Sequence, residues 1–168
     1  MKYSERVFEF NNIFEKELLE LDVGNIYQVA ELSVIRGGQI TQHMQRCDEI
    51  TYVVSGNAEI ISNDNKSEIS QGQIHYIKNG CTHQIQAAPD NNFRYVCIGF
   101  FPNLKNSSVK SFYEKCDGRD SFIADDNGVV KNIAEFLIRE FYNYDEHSNR
   151  MIDQYIADVN GLNKDTFR

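Results

Sequence analysis

The chain has 168 residues, 41% hydrophobic and 25% charged, a length and balance that suit one globular domain rather than a disordered or fibrous chain. A chain of this size buries roughly two-thirds of the surface that its unfolded form exposes, so folding requires neither a disulfide nor a structural metal. The formal net charge of -8, with Lys and Arg scattered along the chain, argues against a nucleic-acid surface, which needs clustered cations.

Cys47, Cys81, Cys97 and Cys116 are widely spaced and form no CxxC pair, so they read as isolated reduced thiols of a cytosolic protein. The N-terminus, Met1-Lys2-Tyr3-Ser4-Glu5-Arg6, is charged and no apolar h-region follows it. No apolar run approaches the roughly 18 residues of a membrane helix. The expected location is the cytoplasm, without membrane contact.

In chain order, residues 1 to about 25 are mixed. Val7, Phe8, Phe10, Ile13 and Phe14 suit an edge strand or packed arm, and Phe14 to Leu21 a short helix. Residues 26 to about 101 read as strands. Ile26 to Ile35 is rich in β-branched residues and ends at Arg36-Gly37-Gly38, and Ile50 to Ser55 stops at Gly56-Asn57. Ala58 to Ser62 returns through the polar turn Asn63-Asp64-Asn65-Lys66. Strands at 68–70, 73–77, 81–87 and 93–101 follow, separated by Gln71-Gly72, Lys78-Asn79-Gly80 and Pro89-Asp90-Asn91-Asn92. Short strands broken at such intervals predict an all-β sandwich or barrel.

From about Ser107 the period changes. Val129/Val130, Ile133, Phe136/Leu137, Phe141 and Tyr144 recur at helical steps, with Asp125 or Asn127 as cap. Met151/Ile152, Tyr155/Ile156, Val159 and Leu162 repeat the spacing after the polar stretch Asn143 to Asn149. This predicts an αα-hairpin with one apolar face on each helix, which either covers the barrel or pairs with another subunit.

The chemistry lies in two runs. The first, Gly37 to Gly56 (GGQITQHMQRCDEITYVVSG), holds His43, Gln45, Glu49 and a closing glycine. The second (GQIHYIKNGCTH) holds Gly72, Gly80 and His83, and begins about 15 residues after the first ends. Together they resemble the two motifs of the cupin superfamily. The resemblance implies a mainly β fold, a cupin (double-stranded β-helix or jelly-roll) barrel, with the helical hairpin behind it. The whole chain, 1–168, is then one domain: about 26–101 barrel and about 107–162 helical. Three positions depart from the pattern. Gln45 replaces the second histidine of the first motif, Lys78 the usual proline of the second, and Ala87 its terminal asparagine.

His43 and Gln45 are two apart, so in a strand they share a face, and Glu49 can return to that face after a turn. His83 arrives from another strand. Two imidazoles and a carboxylate form a set suited to iron(II), manganese, nickel or zinc, with Gln45 a weak neutral oxygen donor. The candidate metal ligands are therefore His43, Gln45, Glu49 and His83. Without a metal, the same groups hydrogen-bond a small molecule or one another. Thr51 and Val53 share the face of Glu49 by strand alternation, which makes Thr51 a pocket hydroxyl, while Tyr52 and Val54 face the covering elements. His75 lies in the strand before the second motif's turn, as a packed, partly exposed histidine or as part of the pocket. The candidate ligand-binding set is His43, Glu49, Thr51, His75 and His83, with no catalytic residue assigned. His147 falls in the inter-helix loop and is expected to be solvated.

A finer resemblance covers about residues 36 to 160. His83-Gln84-Ile85-Gln86, then Phe93-Arg94-Tyr95-Val96-Cys97-Ile98-Gly99-Phe100, then two amphipathic helices, look like the effector-binding domain of AraC-family transcription regulators. That resemblance implies a barrel that binds a small metabolite, helices that make a homodimer, and a following DNA-binding region. Nothing after Leu162 resembles that region, so this chain itself is expected not to touch nucleic acid. The leading expectation is a ligand-sensing, dimeric cupin domain tied to transcription regulation, which leans away from an enzyme and leaves that question open. The alternative is a small metal-dependent cupin enzyme, a dioxygenase, isomerase or lyase.

Overall fold

A computed structural model describes residues 6–13, 18–116 and 118–161. The strands are β1 (Arg6–Ile13), β2 (Leu19–Leu21), β3 (Gly24–Val34), β4 (Gln39–Met44), β5 (Asp48–Ser55), β6 (Asn57–Ser62), β7 (Asn65–Ser70), β8 (Gln73–Ile77), β9 (Thr82–Ala87), β10 (Phe93–Pro102) and β11 (Ser121–Asp125). The helices are α1 (Ser107–Lys115), α2 (Val129–Tyr142) and α3 (Ser148–Gly161). A 7-stranded sheet runs β1-β3-β10-β5-β8-β11, with β2 on β3, and a 4-stranded sheet runs β4-β9-β6-β7. All strand pairs are antiparallel. The fold is mainly β, a two-sheet barrel of cupin type followed by helices, as expected.

Strand alternation builds the barrel interior. Ala30, Leu32 and Val34 of β3 meet Ile60 of β6, Ile85 and Ala87 of β9, and Phe93, Tyr95 and Cys97 of β10 in one buried cluster. The turn that closes the first motif requires glycine. Gly56 has φ +81, and a Cβ there would stand 2.2 Å from the Asn92 carbonyl oxygen. All four cysteines are buried and none is in a disulfide.

The outer face of the larger sheet carries the helices. Val29 and Ile26 of β3 and Leu19 of β2 pack with Ile133, Phe136, Leu137 and Phe141 of α2 and with Ile152 of α3. Ile152 is 0% exposed, and the Phe136 and Tyr155 rings stack with centroids 3.9 Å apart. Ile152 and Tyr155 of α3 therefore cover the barrel together with α2, while Met151 of the same stripe is exposed. Of the two alternatives for the helical stripes, Ile152 follows the first, covering the barrel. Ile156, Val159 and Leu162 lie outside the described side chains.

Three expectations change. Residues 19–21 form a strand paired with β3, not a helix, because their alternation suits the sheet edge; 14–17 lie outside the described residues. The segment after 107 is not wholly helical: β11 adds to the sheet edge beside β8, pairing Ile123 with His75. The N-cap position of α2 is Gly128, which has no side chain to cap with, and Asp126, two residues before it, accepts from the Val130 and Lys131 amides at 3.0 and 2.9 Å instead. Asn127 accepts only a 3.4 Å bond from Val129, and Asp125 sits in β11 and accepts from Gln73. α1 is pinned by a buried carboxylate: Asp48 accepts from the Tyr76 hydroxyl at 2.8 Å, the Asn79 amide at 2.8 Å and the Tyr113 hydroxyl of α1.

Candidate functional site

β9 supplies the centre of the site. His83 is 2% exposed, and its Nε2 lies 3.0 Å from His43 Nε2 and 3.0 Å from the Gln45 amide nitrogen. His43 stands at the exposed rim of β4, opposite His83 in the β4–β9 ladder. Gln45 does not share a strand face with it. The ladder is irregular between Ile40 and His43, β4 ends at Met44, and Gln45 follows as a buried residue. Its amide N–H donates to the Cys81 carbonyl and its carbonyl accepts from Gly80, both at 2.9 Å. The turn of the second motif thus holds Gln45, and its side chain reaches His83 from a backbone outside the strand.

Glu49 and Thr51 come inward from β5. Glu49 is 9% exposed and accepts from the Thr51 hydroxyl at 3.2 Å. Burial raises the Glu49 pKa above the usual carboxylate range, while the Thr51 hydroxyl, His43 and the Gln45 amide pull it back. Tyr52 and Val54 are half-buried on the opposite side.

His75 of β8 is 1% exposed, which corrects its reading as partly exposed. Its ring stacks on His83 with centroids 5.9 Å apart, and its Nε2 meets the hydroxyls of Ser62 at 3.3 Å and Ser121 at 2.9 Å. Desolvation lowers the His75 pKa to about 4, and desolvation with the neighbouring imidazoles lowers that of His83 to about 3, so both rings are neutral at pH 7. The Nδ1 atoms of both are buried without a hydrogen-bond partner. His147 is exposed in the inter-helix loop. Arg94, prominent in the finer resemblance, points away from the barrel: its Nε donates to Glu31 at 2.8 Å on the neighbouring strand.

Proton positions follow from the fixed partners. The Thr41 carbonyl can only accept, so His43 Nδ1–H donates to it at 3.0 Å and Nε2 presents a lone pair. If His83 Nε2–H donates into that lone pair, its Nδ1 is a bare buried acceptor. If the Gln45 amide donates to His83 instead, two ring lone pairs face each other at 3.0 Å. Either way the cluster keeps bonding capacity that its own atoms do not fill.

Among the described residues no three His, Cys, Asp or Glu side chains are grouped to hold a metal ion. What converges is His43, His83 and the Gln45 amide, with Glu49 beyond the amide. The sequence reading did not single out Ser62 or Ser121. Ser62 had a signal, since Ala58, Ile60 and Ser62 are alternate, inward positions of β6. Ser121 had none, because β11 itself was not foreseen.

No curated protein matches the chain. Similar solved structures include a cupin protein from Bacteroides fragilis, 25% identical over 44% of this chain and 64% of that one, with a TM-score of 0.42. They also include the Cnp3 cupin domain of Schizosaccharomyces pombe, 11% identical over 61% and 69%, with a TM-score of 0.48. A predicted oxalate decarboxylase from Thermotoga maritima is 16% identical over 46% and 68%, with a TM-score of 0.43. No helix of the described residues is long and apolar enough to cross a membrane. Residues 31–99, which carry all of the histidine cluster, match the family model described as Cupin domain.

Proposed function

We propose that the chain is a small-molecule-recognising cupin domain, the effector-binding and dimerisation part of an AraC-type transcription regulator or a stand-alone cytoplasmic relative. The observation that carries this reading is the unfilled bonding capacity inside the barrel. His75 Nδ1 and His83 Nδ1 are buried and unpartnered beside a buried carboxyl, an amide and hydroxyls. A buried polar atom left unpaired costs about 1–3 kcal/mol, and such atoms persist where a ligand or water completes them. The homodimer of this reading uses exposed apolar residues near the helices, Tyr142, Tyr144 and Met151, rather than Ile152. A thermal-shift screen against small metabolites tests it. A ligand at 100 times its Kd adds about 2.7 kcal/mol, which raises the Tm of a domain this size by about 5–10 °C. The His83→Ala variant should fold and lose that shift. A screen without a stabilising metabolite would overturn the reading.

One observation favours the metal-dependent alternative. Two imidazole nitrogens bound at right angles to one ion at about 2.1 Å stand about 3 Å apart. His43 Nε2 and His83 Nε2 have that spacing, and the Thr41 carbonyl fixes the lone pair of the first. His43, His83, the Gln45 amide oxygen and Glu49 would hold the ion, and a bound divalent metal supplies Lewis acidity or a site for dioxygen. Elemental analysis of protein purified without chelator or affinity tag decides. One equivalent of iron, manganese, nickel or zinc supports this reading. No metal, with none gained on soaking, removes it.

A further inference from the structure

β7 and β11 are the end strands of their two sheets, and a cavity of about 300 Å³ lies between the β6–β7 hairpin and residues 119–123. His75 stands at the boundary between this cavity and the histidine cluster. On one side its ring stacks on His83, and on the other its Nε2 meets Ser62 and Ser121, whose side chains line the cavity. One ring nitrogen carries either a hydrogen or a lone pair, so it satisfies one of these hydroxyls fully and leaves the other with capacity toward the cavity. The rim holds a cation on a fixed mount. Arg119 Nε donates to the Cys116 carbonyl at 3.1 Å, and the guanidinium lies 4.9 Å over the Phe122 ring. The terminal N–H groups of such a fork match the two oxygens of a carboxylate. The neighbouring Asp120 carboxylate lies 3.6 Å from Lys78 Nζ, which offsets its charge at the rim.

Cation, hydroxyls and buried imidazole together describe a polar ligand with one anionic end, and a volume near 300 Å³ is at the small end of ligand pockets. We propose that this cavity seats the domain's small-molecule ligand, a hydroxylated monocarboxylate of about three to six carbons, with its carboxylate on Arg119 and its hydroxyls on Ser62 and Ser121. This rests on the reading of the chain as a small-molecule-binding domain and names the ligand class and its seat. The occupant lies one ring from His83, which places recognition in the cavity next to the cluster in the barrel.

Isothermal titration of the full chain with D-gluconate, D-glycerate and L-lactate tests it, with sorbitol, glycerol and 1,2-propanediol as the respective counterparts that keep the hydroxyls and lack the carboxylate. At least one of the acids should bind, and its polyol counterpart at least about tenfold more weakly. Arg119→Gln, at an exposed position, should fold and weaken the acid by about 10- to 100-fold. Ser121→Ala should weaken it several-fold. Equal affinity for acid and polyol, or unchanged affinity in Arg119→Gln, overturns the assignment. An acid that binds Arg119→Gln normally but not His83→Ala overturns the cavity and leaves the small-molecule reading standing. If no acid binds while the metabolite screen yields a ligand, the ligand class fails alone. If the screen is also empty, both fail.

Discussion

Ile152→Ala separates two roles for α3. The side chain is 0% exposed and packs in the cluster that joins α2 and α3 to Leu19, Ile26 and Val29 of the larger sheet. Truncating a buried isoleucine to alanine loses its transfer free energy and leaves a cavity, at a cost of about 2–5 kcal/mol. The site collapses poorly, because the strand floor is fixed and the Phe136–Tyr155 stack bounds one side. With a urea m-value of about 2 kcal/mol/M for a small protein, the unfolding midpoint should fall by about 1–2.5 M. Chemical unfolding followed by circular dichroism reads the midpoint, and light scattering after size exclusion reads the mass. The expected outcome is a lower midpoint with unchanged mass. An unchanged midpoint with a halved mass would refute the packing argument and put Ile152 in a subunit interface.

Acid should destabilise the domain through its buried histidines. The folded-state pKa values of His75 and His83 are about 4 and about 3, against 6.5 for the solvent-exposed imidazole of the unfolded chain, so below pH 6.5 the unfolded chain takes up protons that the folded one refuses. Between pH 8 and pH 5 each ring should remove about 2 kcal/mol of stability. Glu49, with its pKa raised, acts in the opposite direction and softens the loss at the acid end. Unfolding free energies of metal-free protein at pH 8 and 5 check this: His75→Gln should lose about half of the difference, and a variant with the full difference would show that His75 is not held neutral. At the first motif's closing turn, Gly56→Ala forces a Cβ onto the Asn92 carbonyl at φ +81 and should cost about 1–3 kcal/mol in a urea titration. A neutral result would mean the turn relaxes away from Asn92.

The barrel and much of the cluster were legible because they follow from period and punctuation. Inward alternation from Glu49 places Thr51 and Val53, and the glycine-closed turns set the strand ends. His43 and His83 face each other because their strands pair in the register that the two motifs share. What was hidden depends on contacts distant in sequence. β11 has no alternation of burial and exists because β8 offers it an edge. α1 is held by Tyr113 on Asp48, a pair 65 residues apart. Gln45 reaches the cluster from beyond the end of β4, anchored by Cys81 and Gly80, and spacing alone put it on the strand face. Ile152 has the same helical period whether its stripe meets a sheet or another subunit, so periodicity could not choose between them.

Gln45 is where recognition and metal chemistry divide, and Gln45→His is the substitution that tests it. The residue is 7% exposed, with its amide 3.0 Å from His83 Nε2 and its anchoring hydrogen bonds made by the backbone, so an imidazole there keeps the mount. An amide is a weak neutral donor, and its N–H groups can satisfy Glu49 and His83 by hydrogen bonding, which favours a ligand-recognition cluster. An imidazole makes the third strong nitrogen donor beside His43 and His83, with Glu49 nearby, a set that suits zinc or nickel. Zinc affinity, measured by competition with a chelating dye, should rise by at least about tenfold, and zinc should raise the Tm of the variant more than that of the parent. Zinc binding no tighter than the parent's, in a variant that still unfolds cooperatively, would show that the three side chains do not converge on one point. The cluster would then be a hydrogen-bonding site in both forms, and the 3.0 Å spacing of the two imidazoles would have to be explained by the shared proton alone.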